Sequence, residues 1–225
     1  MEYNSSGKQY NGEKAVISLT SWKARIDTVS KTLFSLIKQC PGFHVVLVLS
    51  EDEFKKGVDE LPNSLKLFIK NNLIEILWVK KNFKSFKKII FTMDKYNKVP
   101  IISADDDCLY KFNYAEELYN KWLENKNCVI TYKSVIHKGI KFQHGPSTLY
   151  PPDCFRKYMF TCLKNKIVRT NHDDVLYGIM LQRLNIKIFE LNAKPPYVFH
   201  DCLCALSHNK VMTCQTAIDV IQKEI

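Results

Sequence analysis

The chain contains a series of short apolar runs, separated by longer and more polar stretches, that predict the strands of a sheet. These runs lie at residues 15–19, 44–49, 74–79, 101–104, 128–132 and 186–191. The first four are almost continuously apolar, which is typical of parallel strands whose two faces are both covered by helices.

Apolar residues at helical spacing occupy the intervals between the runs. Between the first two runs they recur at Val29, Leu33, Leu36, Ile37 and Cys40, so the chain opens with a β-α-β unit. Further helices are predicted within residues 61–71, near 87–95, at 114–124 and from Asp173 onwards. Strands that alternate with helices predict a doubly wound α/β sheet over the first half of the chain.

The second half is less regular. Its residues 139–152 include Gly139, Gly145, Pro146, Pro151 and Pro152, and such a composition is typical of turns. We expect a long loop over the C-terminal edge of the sheet, where long loops commonly build binding sites.

Length and composition favour a single cytoplasmic domain. The 225 residues include no Pro-, Gly- or Ser-rich linker, and an apolar content of 46% argues against disorder. No apolar stretch approaches the ~18 residues of a membrane-spanning helix, and the polar start of the chain lacks the apolar core of a secretory signal. The eight cysteines are therefore expected to be reduced thiols.

Basic residues outnumber acidic ones, which implies an anionic partner. The 33 Lys and Arg against 23 Asp and Glu give a net charge of +10. Nucleic acid, a phospholipid surface and a phosphorylated substrate all fit this charge, and peripheral contact with the anionic inner face of a membrane is one consequence. The densest basic patch, residues 80–88, interleaves aromatic residues as a nucleic-acid-binding stripe does, but no recognition motif surrounds it and a solvated face explains it as well.

Three carboxylates, Asp105, Asp106 and Asp107, follow directly on the apolar run at 101–104. Neighbouring carboxylates at the end of a buried strand repel one another, and a divalent cation would offset that repulsion. Oxygen ligands of this kind suit Mg²⁺ or Mn²⁺, which keep water and ligand phosphates in their other positions. An EF-hand calcium loop is disfavoured by the residues that follow, and the alternative is a solvated acidic turn.

A possible zinc site near the C-terminus is a separate question. His200, Cys202, Cys204 and His208 are suitable ligand types, but alternate residues of a strand share one face without any metal. No second ligand pair of standard spacing accompanies them, and the sequence does not decide whether they bind anything.

Common nucleotide-binding and hydrolase motifs are absent. The chain has no GxGxxG after the first strand, no GxxxxGK[ST], no HExxH and no GxSxG. Four other motifs occur in a defined order: Ser18-Leu19-Thr20-Ser21 with Arg25-Ile26, then Lys87-Lys88-Ile89 ahead of the acidic triplet, then Gly145-Pro146-Ser147-Thr148-Leu149-Tyr150-Pro151-Pro152, and finally Asn171-His172-Asp173-Asp174-Val175.

In this order the motifs resemble those of a bacterial, family-2-like branch of the GT-A glycosyltransferases, over about residues 15–209. The DDDCLY stretch, the LYPP loop and the HDD helix start, taken together, are the most specific parts. The resemblance implies a Rossmann-like GT-A fold, with a mixed, mainly parallel sheet sandwiched by helices, in one domain over residues 1–225. It also implies a donor-binding half at about 15–110 and an acceptor and catalytic half at about 111–209.

The resemblance further implies a nucleotide-diphosphate sugar donor, Mn²⁺ or Mg²⁺ on its diphosphate, and a glycan or lipid-linked saccharide acceptor, in cell-surface polysaccharide synthesis. It assigns catalytic roles to Asp174, as general base, and Asp173. It assigns donor binding to Thr20, Arg25, Lys88, Asp105 and Asp106, the metal to Asp105 and Asp107, and acceptor binding to Gly145, Pro146 and His172. We expect the positive end of the helix dipole to keep Asp174 ionised.

Each assignment has a structural alternative. Arg25 and Lys88 are more often solvent-facing charges at helix ends, the pair Gly145 and Pro146 is also explained as a turn, and the two aspartates as helix caps. Two other functions also stay open. A metal-dependent nucleotidyltransferase would use the same carboxylates but usually has a Gly-rich loop after the first strand, and a basic nucleic-acid-binding module would use residues 80–88.

Overall fold

The computed structural model describes residues 2–39, 41–154, 158–191, 193–200 and 213–224. Within these residues the strands are β1 (Tyr3–Gly7), β2 (Ala15–Thr20), β3 (Phe43–Ser50), β4 (Glu75–Val79), β5 (Ile101–Ser103), β6 (Cys108–Tyr110), β7 (Val129–Thr131), β8 (Ser134–His137), β9 (Ile140–Gln143), β10 (Thr148–Tyr150), β11 (Ile188–Glu190) and β12 (Tyr197–Phe199). The α-helices are α1 (Val29–Ile37), α2 (Asn63–Lys70), α3 (Lys87–Lys95), α4 (Tyr114–Glu124), α5 (Met159–Cys162), α6 (Asn165–Val168), α7 (Asp173–Arg183) and α8 (Cys214–Glu224).

Eight of these strands form one sheet in the order β1-β4-β3-β2-β5-β10-β7-β11. The neighbours from β4 to β5 run parallel, as do β7 and β11. Strand β10 is antiparallel to both of its neighbours, and β1 closes one edge by pairing antiparallel with β4. Two small ribbons, β6 with β12 and β8 with β9, complete the pairing. The mixed, mainly parallel α/β sheet predicted from the sequence is confirmed.

The six apolar runs correspond to β2, β3, β4, β5, β7 and β11, and the predicted helices to α1, α2, α3, α4 and α7. Side chains of β2 alternate between two apolar clusters, one on each face of the sheet. Val16 packs on the face that carries α3, α7 and α8, whereas Ile17 packs on the face that carries α1, α2 and α4. Two covered faces explain why the parallel strands are apolar throughout.

The long loop predicted at residues 139–152 is wrong. This segment forms β9 and β10, joined by residues 144–147. Ile140 and Phe142 alternate into the core, and Leu149 lies fully buried where β10 pairs with both β5 and β7. Burial and pairing outweigh the turn propensity of the glycines and prolines, which stand only at the ends of these short strands.

None of the helices in the described residues combines the length and apolar character needed to span a bilayer. Cys108, Cys128, Cys154, Cys162 and Cys214 are free thiols, in agreement with the prediction for these five. Cys40, Cys202, Cys204 and His208 lie outside the described residues. Of the four residues considered as zinc ligands, the structure therefore describes His200 alone.

Candidate functional site

The candidate site lies at the C-terminal ends of β2 and β5, which are neighbouring parallel strands. We call Asp105, Asp106 and Asp107 the acidic turn; it follows β5 after a single residue, Ala104, whose N–H donates to the carbonyl of Ser18 in β2. Ligands of open α/β sheets bind at this edge, because the loops that leave adjacent strands there diverge and leave a crevice between them.

The middle carboxylate of the acidic turn is held by groups from the loop after β2. The buried guanidinium of Arg25 pairs with Asp106 and also lies 3.2 Å from Oδ2 of Asp107. Ser21 Oγ donates to Asp106 Oδ2 at 2.6 Å. Burial raises the pKa of Asp106, and the charge of Arg25 opposes that rise. Arg25 is therefore not a solvent-facing charge, and it fixes the acidic turn to the end of β2.

Lys88 connects the acidic turn to α7. Its Nζ lies 2.7 Å from Oδ1 of Asp105 and 3.5 Å from Oδ2 of Asp173. Burial opposes the positive charge, but the carboxylates of Asp105, Asp173 and Asp174 outweigh burial, so the pKa of Lys88 is raised above its usual value. Lys88 is thus a permanent cation between two groups of carboxylates, and the alternative of a solvent-facing charge does not hold for it either.

The position of Lys88 follows from contacts made by α3. Ser18 on β2 donates its hydroxyl to the carbonyl of Lys88 and lies 2.7 Å from the hydroxyl of Thr92, one turn further along the helix. These three groups are buried, so the first turns of α3 are fixed on the sheet. A lysine at the second position of such a helix is carried to the strand ends, where its ammonium meets the acidic turn.

The backbone of the acidic turn is also held by residues from α1 and from the end of β12. Thr32 on α1 donates its hydroxyl to the carbonyl of Asp106 at 2.9 Å and lies 2.9 Å from Nε2 of His200. The N–H of His200 donates to the carbonyl of Asp107 at 2.8 Å. Burial, and after it the charge of Asp105, raises the pKa of Asp107.

Thr32 and His200 are functional-site residues that the sequence analysis missed. The only sequence signal for Thr32 is a polar residue between Val29 and Leu33 on the apolar face of α1, and this pattern does not indicate what the hydroxyl binds. His200 was considered only as a zinc ligand. Its contact with the acidic turn depends on the pairing of β12 with β6, which sequence periodicity does not predict.

Two carboxylates open α7 and meet different surroundings. Asp173 is buried and faces Lys88, whereas Asp174 Oδ1 lies 3.3 Å from the amide nitrogen of Gln143 on β9. Burial and the charge of Asp173 raise the pKa of Asp174 well above its usual value, although a hydrogen bond from the N–H of Gly145 acts in the opposite direction. Burial and a neighbouring charge therefore act against the helix dipole, which was expected to keep Asp174 ionised.

The segment between β9 and β10 lies beside Asp174. Gly145 has φ +82°, and a Cβ there would lie 3.0 Å from the hydroxyl of Tyr197. Pro146 is buried, and Ser147, with φ 77°, donates its N–H to the carbonyl of Ser103 on β5. The predicted acceptor residues Gly145 and Pro146 are thus brought next to the predicted base.

The last two predicted residues lie at the margins of the site. Thr20 donates its hydroxyl to the carbonyl of Val48 at 2.7 Å, so this group is engaged within the sheet. His172 is the residue before α7, and its Nδ1 lies 3.9 Å from the thiol of Cys214 on α8. Within the described part of the chain, neither Thr20 nor His172 forms a hydrogen bond or an ion pair with the acidic turn.

The charges of the site bear on metal binding. The site contains the three carboxylates of the acidic turn and those of Asp173 and Asp174, and they face the cations Arg25 and Lys88. Lys87 lies nearby, and burial lowers the pKa of its ammonium to about 8. Negative charge is therefore in excess. Within the described ranges no three His, Cys, Asp or Glu side chains are grouped to hold a metal ion. Mg²⁺, however, commonly takes only one or two carboxylates together with ligand phosphates, so a site of this kind does not require three grouped side chains.

Comparisons with known proteins identify the fold. No protein-family model and no curated protein sequence matches the chain. The crystal structure of S. aureus TarS 1-349 in complex with UDP-GlcNAc matches with a TM-score of 0.65 at 14% identity, covering 94% of this chain and 66% of that one. A second structure of TarS 1-349 gives 0.58 at 15% identity, with coverages of 83% and 60%.

A 4-diphosphocytidyl-2C-methyl-D-erythritol synthase also matches, with a TM-score of 0.55 at 8% identity, and the match covers 86% of this chain and 95% of that one. The chain spans less than two thirds of the length of the TarS segment. At these low identities the likenesses concern the fold, and they support the GT-A-like α/β architecture.

Proposed function

We propose that this protein is a glycosyltransferase, which moves a sugar from a nucleotide-diphosphate sugar to a hydroxyl of a glycan or lipid-linked saccharide. The observation that carries the proposal is the position of Lys88, which contacts Asp105 of the acidic turn and Asp173 of α7. This contact brings the predicted donor-binding carboxylates and the predicted catalytic carboxylates into one site. The fold shared with TarS, which was crystallised with UDP-GlcNAc and with UDP, supports a nucleotide-sugar donor.

Asp174 is the residue best placed to act as general base. In the proposed reaction the acceptor oxygen forms a bond to the anomeric carbon, the bond from that carbon to the diphosphate breaks, and Asp174 accepts the hydroxyl proton. A base works best when its pKa lies near the working pH, and the raised pKa of Asp174 moves it in that direction. The adjacent Gly145 and Pro146 would border the acceptor.

The departing diphosphate carries the developing negative charge. Lys88 would stabilise that charge as a fixed cation at the strand end, while Arg25 keeps the acidic turn in place. A divalent cation held by Asp105 and Asp107 would, when bound, supply Lewis-acid stabilisation of the same phosphate oxygens.

The two alternative functions are less well supported. The synthase with the similar fold shows that this architecture also serves diphosphocytidyl chemistry, but residues 18–25 contain none of the glycines usual in a nucleotidyltransferase loop. A nucleic-acid stripe at residues 80–88 needs one exposed basic face. In the structure Lys87 and Lys88 are buried and Lys80 pairs with Glu2, so these residues do not form such a face.

The proposal is tested by incubating the protein with Mn²⁺ and a panel of nucleotide sugars, with donor hydrolysis as the readout. Calorimetric titration of nucleoside diphosphate and Mn²⁺ then compares the wild type with Asp107→Ala and with Asp27→Ala, an exposed control in the same region. We expect metal-dependent binding to be lost only in Asp107→Ala. Unchanged affinity in that variant would remove the proposed metal site, and pyrophosphate release from a nucleoside triphosphate would identify a nucleotidyltransferase instead.

A further inference from the structure

The ribbon formed by β6 and β12 carries exposed apolar side chains. Ten large apolar side chains are exposed among the described residues, and four of them lie in this ribbon or within two residues of it: Leu109, Phe112, Val198 and Phe199. We call these four residues the ribbon surface. Exposed apolar side chains that are grouped in this way mark sites that bind a protein or a membrane.

Strand pairing places Leu109 and Val198 side by side on the outer face of the ribbon. The two residues are direct partners across the ribbon, so their side chains point to the same side. Cys108 and Tyr110, on either side of Leu109 in β6, are buried in the core, and side chains alternate along a strand. Leu109 and Val198 therefore point away from the core, and Phe199 extends the apolar patch to the end of β12.

Helix α1 lies alongside β6. Ser35 Oγ accepts a hydrogen bond from the N–H of Tyr110 at 3.1 Å, and the side-chain amide of Gln39 donates to the carbonyl of Lys111 at 2.8 Å. The buried apolar side chains of α1 belong to the same core as Tyr110. An exposed row follows the outer side of the helix, and it consists of Lys31, Phe34 and Lys38. The outer faces of α1 and of the ribbon are therefore adjacent.

Four exposed lysines flank the ribbon surface. They are Lys31, Lys38, Lys111 and Lys194. Within the described ranges none of the four forms an ion pair with a carboxylate. Lys38 Nζ instead lies 4.4 Å from the centre of the Phe34 ring, which is itself 55% exposed. The apolar patch is thus bordered by positive charge that no described carboxylate pairs with.

We propose that the ribbon surface and these lysines bind the face of an anionic membrane. The inference rests on the proposed glycosyltransferase function and narrows its acceptor to a lipid-linked saccharide. Exposed aromatic and aliphatic side chains enter the boundary between lipid headgroups and acyl chains, and lysines around them attract anionic headgroups. A protein partner fits this border less well, because lysine is depleted at protein–protein interfaces.

The ribbon adjoins the candidate site, which gives membrane binding a role in the reaction. Strand β6 begins at the residue after Asp107, and His200, directly after β12, donates its N–H to the carbonyl of Asp107 at 2.8 Å. Both strands of the ribbon therefore meet the acidic turn. A membrane bound to the ribbon surface would hold lipid-linked acceptors beside the proposed donor-binding carboxylates, which raises their effective concentration there.

The experiment is co-sedimentation with phosphatidylcholine vesicles that either contain or lack phosphatidylglycerol. We expect the wild type to bind the anionic vesicles and to be released at high salt, because salt screens the lysines. The variant Phe112→Ser/Val198→Thr should bind about tenfold more weakly or less, since it removes apolar area from the ribbon surface. The control Leu67→Gln/Ile136→Thr removes two similarly exposed apolar side chains elsewhere and should bind like the wild type.

The lysines are tested separately. Each basic residue near an anionic surface contributes about fivefold to binding, so Lys31→Gln/Lys38→Gln should bind the anionic vesicles on the order of twentyfold more weakly. The matched control Lys55→Gln/Lys56→Gln removes the same charge from two other exposed lysines and should lose much less. This pair of variants leaves the apolar residues intact, so it carries the comparison if circular dichroism shows that Phe112→Ser/Val198→Thr is unfolded.

Three results would overturn the proposal. The first is absence of vesicle binding by the wild type, and the second is equal binding by the ribbon-surface variants and their controls. The third is a concentration-dependent dimer, seen by analytical ultracentrifugation, that Phe112→Ser/Val198→Thr abolishes, because the surface would then join two copies of the chain.

Donor hydrolysis separates this inference from the proposed function. The ribbon-surface variants should hydrolyse a nucleotide sugar like the wild type when no vesicles are present, since none of the substituted residues belongs to the proposed catalytic or donor-binding groups. Vesicle binding that depends on the ribbon surface, in a wild type that hydrolyses no nucleotide sugar, would refute the proposed function and leave the membrane-binding surface standing.

Discussion

Asp173 and Asp174 are adjacent in sequence, yet their surroundings give them different chemistry. Successive residues of a helix point about 100° apart, so the two carboxylates cannot face the same group. Asp173 faces the ammonium of Lys88, whereas Asp174 faces an amide and a backbone N–H. A carboxylate that has a raised pKa and no direct cation partner is the better proton acceptor of the two.

Asp174→Asn should lower turnover by about two to four orders of magnitude, the usual range for loss of a general base, because the amide cannot accept the acceptor proton. Donor affinity should be nearly unchanged. Single-turnover kinetics with a verified donor and acceptor, together with nucleotide titration, provide the measurement. The paired variant Asp173→Asn should act mainly through acceptor binding or stability. Near-normal turnover in Asp174→Asn would assign the base to another residue.

At the residue scale, sequence reasoning located the carboxylates better than their partners. The resemblance in motif order selected the acidic turn, Lys88 and the start of α7, each of which lies at the beginning or the end of a predictable element. It did not show that Arg25 pairs with Asp106 or that Thr32 and His200 hold the acidic turn. Those contacts join groups 74 to 168 positions apart in sequence, and local periodicity contains no information about such pairs.

At the scale of single elements, α7 shows how closely the site depends on packing. It lies against β9, and at Gly178 the helix approaches that strand so closely that a Cβ would stand 2.4 Å from Cβ of Phe142 and 2.8 Å from the carbonyl oxygen of Lys141. The strand that α7 contacts there also carries Gln143, which faces Asp174. Glycine at this position therefore sets the separation between the helix with the proposed base and the strand beside it.

Gly178→Ala should destabilise the protein by about 1–3 kcal/mol, the usual range for overpacking a core, because two backbones must move apart. Alanine gains about 1 kcal/mol of helix propensity over glycine, which opposes but does not cancel this effect. Urea unfolding gives the difference. Asn120→Ala, at an exposed position of α4, serves as the control and should be neutral or slightly stabilising. A stabilised Gly178→Ala variant would contradict the close contact.

Several of the strands that sequence periodicity missed are short. Strands β8, β9, β10 and β12 have only three or four residues each, and their pairing depends on distant partners. Longer runs such as β3 or α4 carry enough periodic positions to be predicted alone. The Gly- and Pro-containing segment around β10 looks like a loop locally, and only its place between β5 and β7 makes it a strand.

For the molecule as a whole, one sheet contains strands from both of the predicted halves of the chain. At the start of β4, the strand next to the edge strand β1, a buried polar cluster surrounds Glu75. His44 Nε2 lies 2.6 Å from one carboxylate oxygen, Ser5 donates to the other at 2.7 Å, and Lys95 and Tyr96 also contact the group. Burial alone would raise the pKa of Glu75, but these hydrogen bonds outweigh it and lower the pKa to about 2.

The sign of the resulting pH dependence follows from linkage. A carboxylate whose pKa is lower in the folded than in the unfolded chain stabilises the fold above its unfolded pKa of 4.5, and loses that contribution as the pH falls towards 2. The free energy of unfolding should therefore decrease by on the order of 3 kcal/mol over this interval through Glu75 alone. Urea unfolding at a series of pH values should show a shallower decrease in Glu75→Gln than in the wild type. Glu124→Gln, at a mostly exposed position, should keep the wild-type slope; equal slopes in all three proteins would contradict the prediction.

Strand β1 has a consequence for how the protein behaves in a crowded solution. The sheet has two edges, and at one of them β1 pairs with all of β4, from Tyr3 opposite Val79 to Gly7 opposite Glu75. The side chains of β4 are buried and mostly apolar, so without β1 the edge would offer an unpaired apolar strand to another molecule. The other edge strand, β11, has only three residues and exposes Glu190. By pairing with β4, the first strand prevents another molecule from adding a strand to the sheet at this edge. An amino-terminal tag or truncation that displaced β1 would therefore favour aggregation and leave the proposed catalytic groups unchanged.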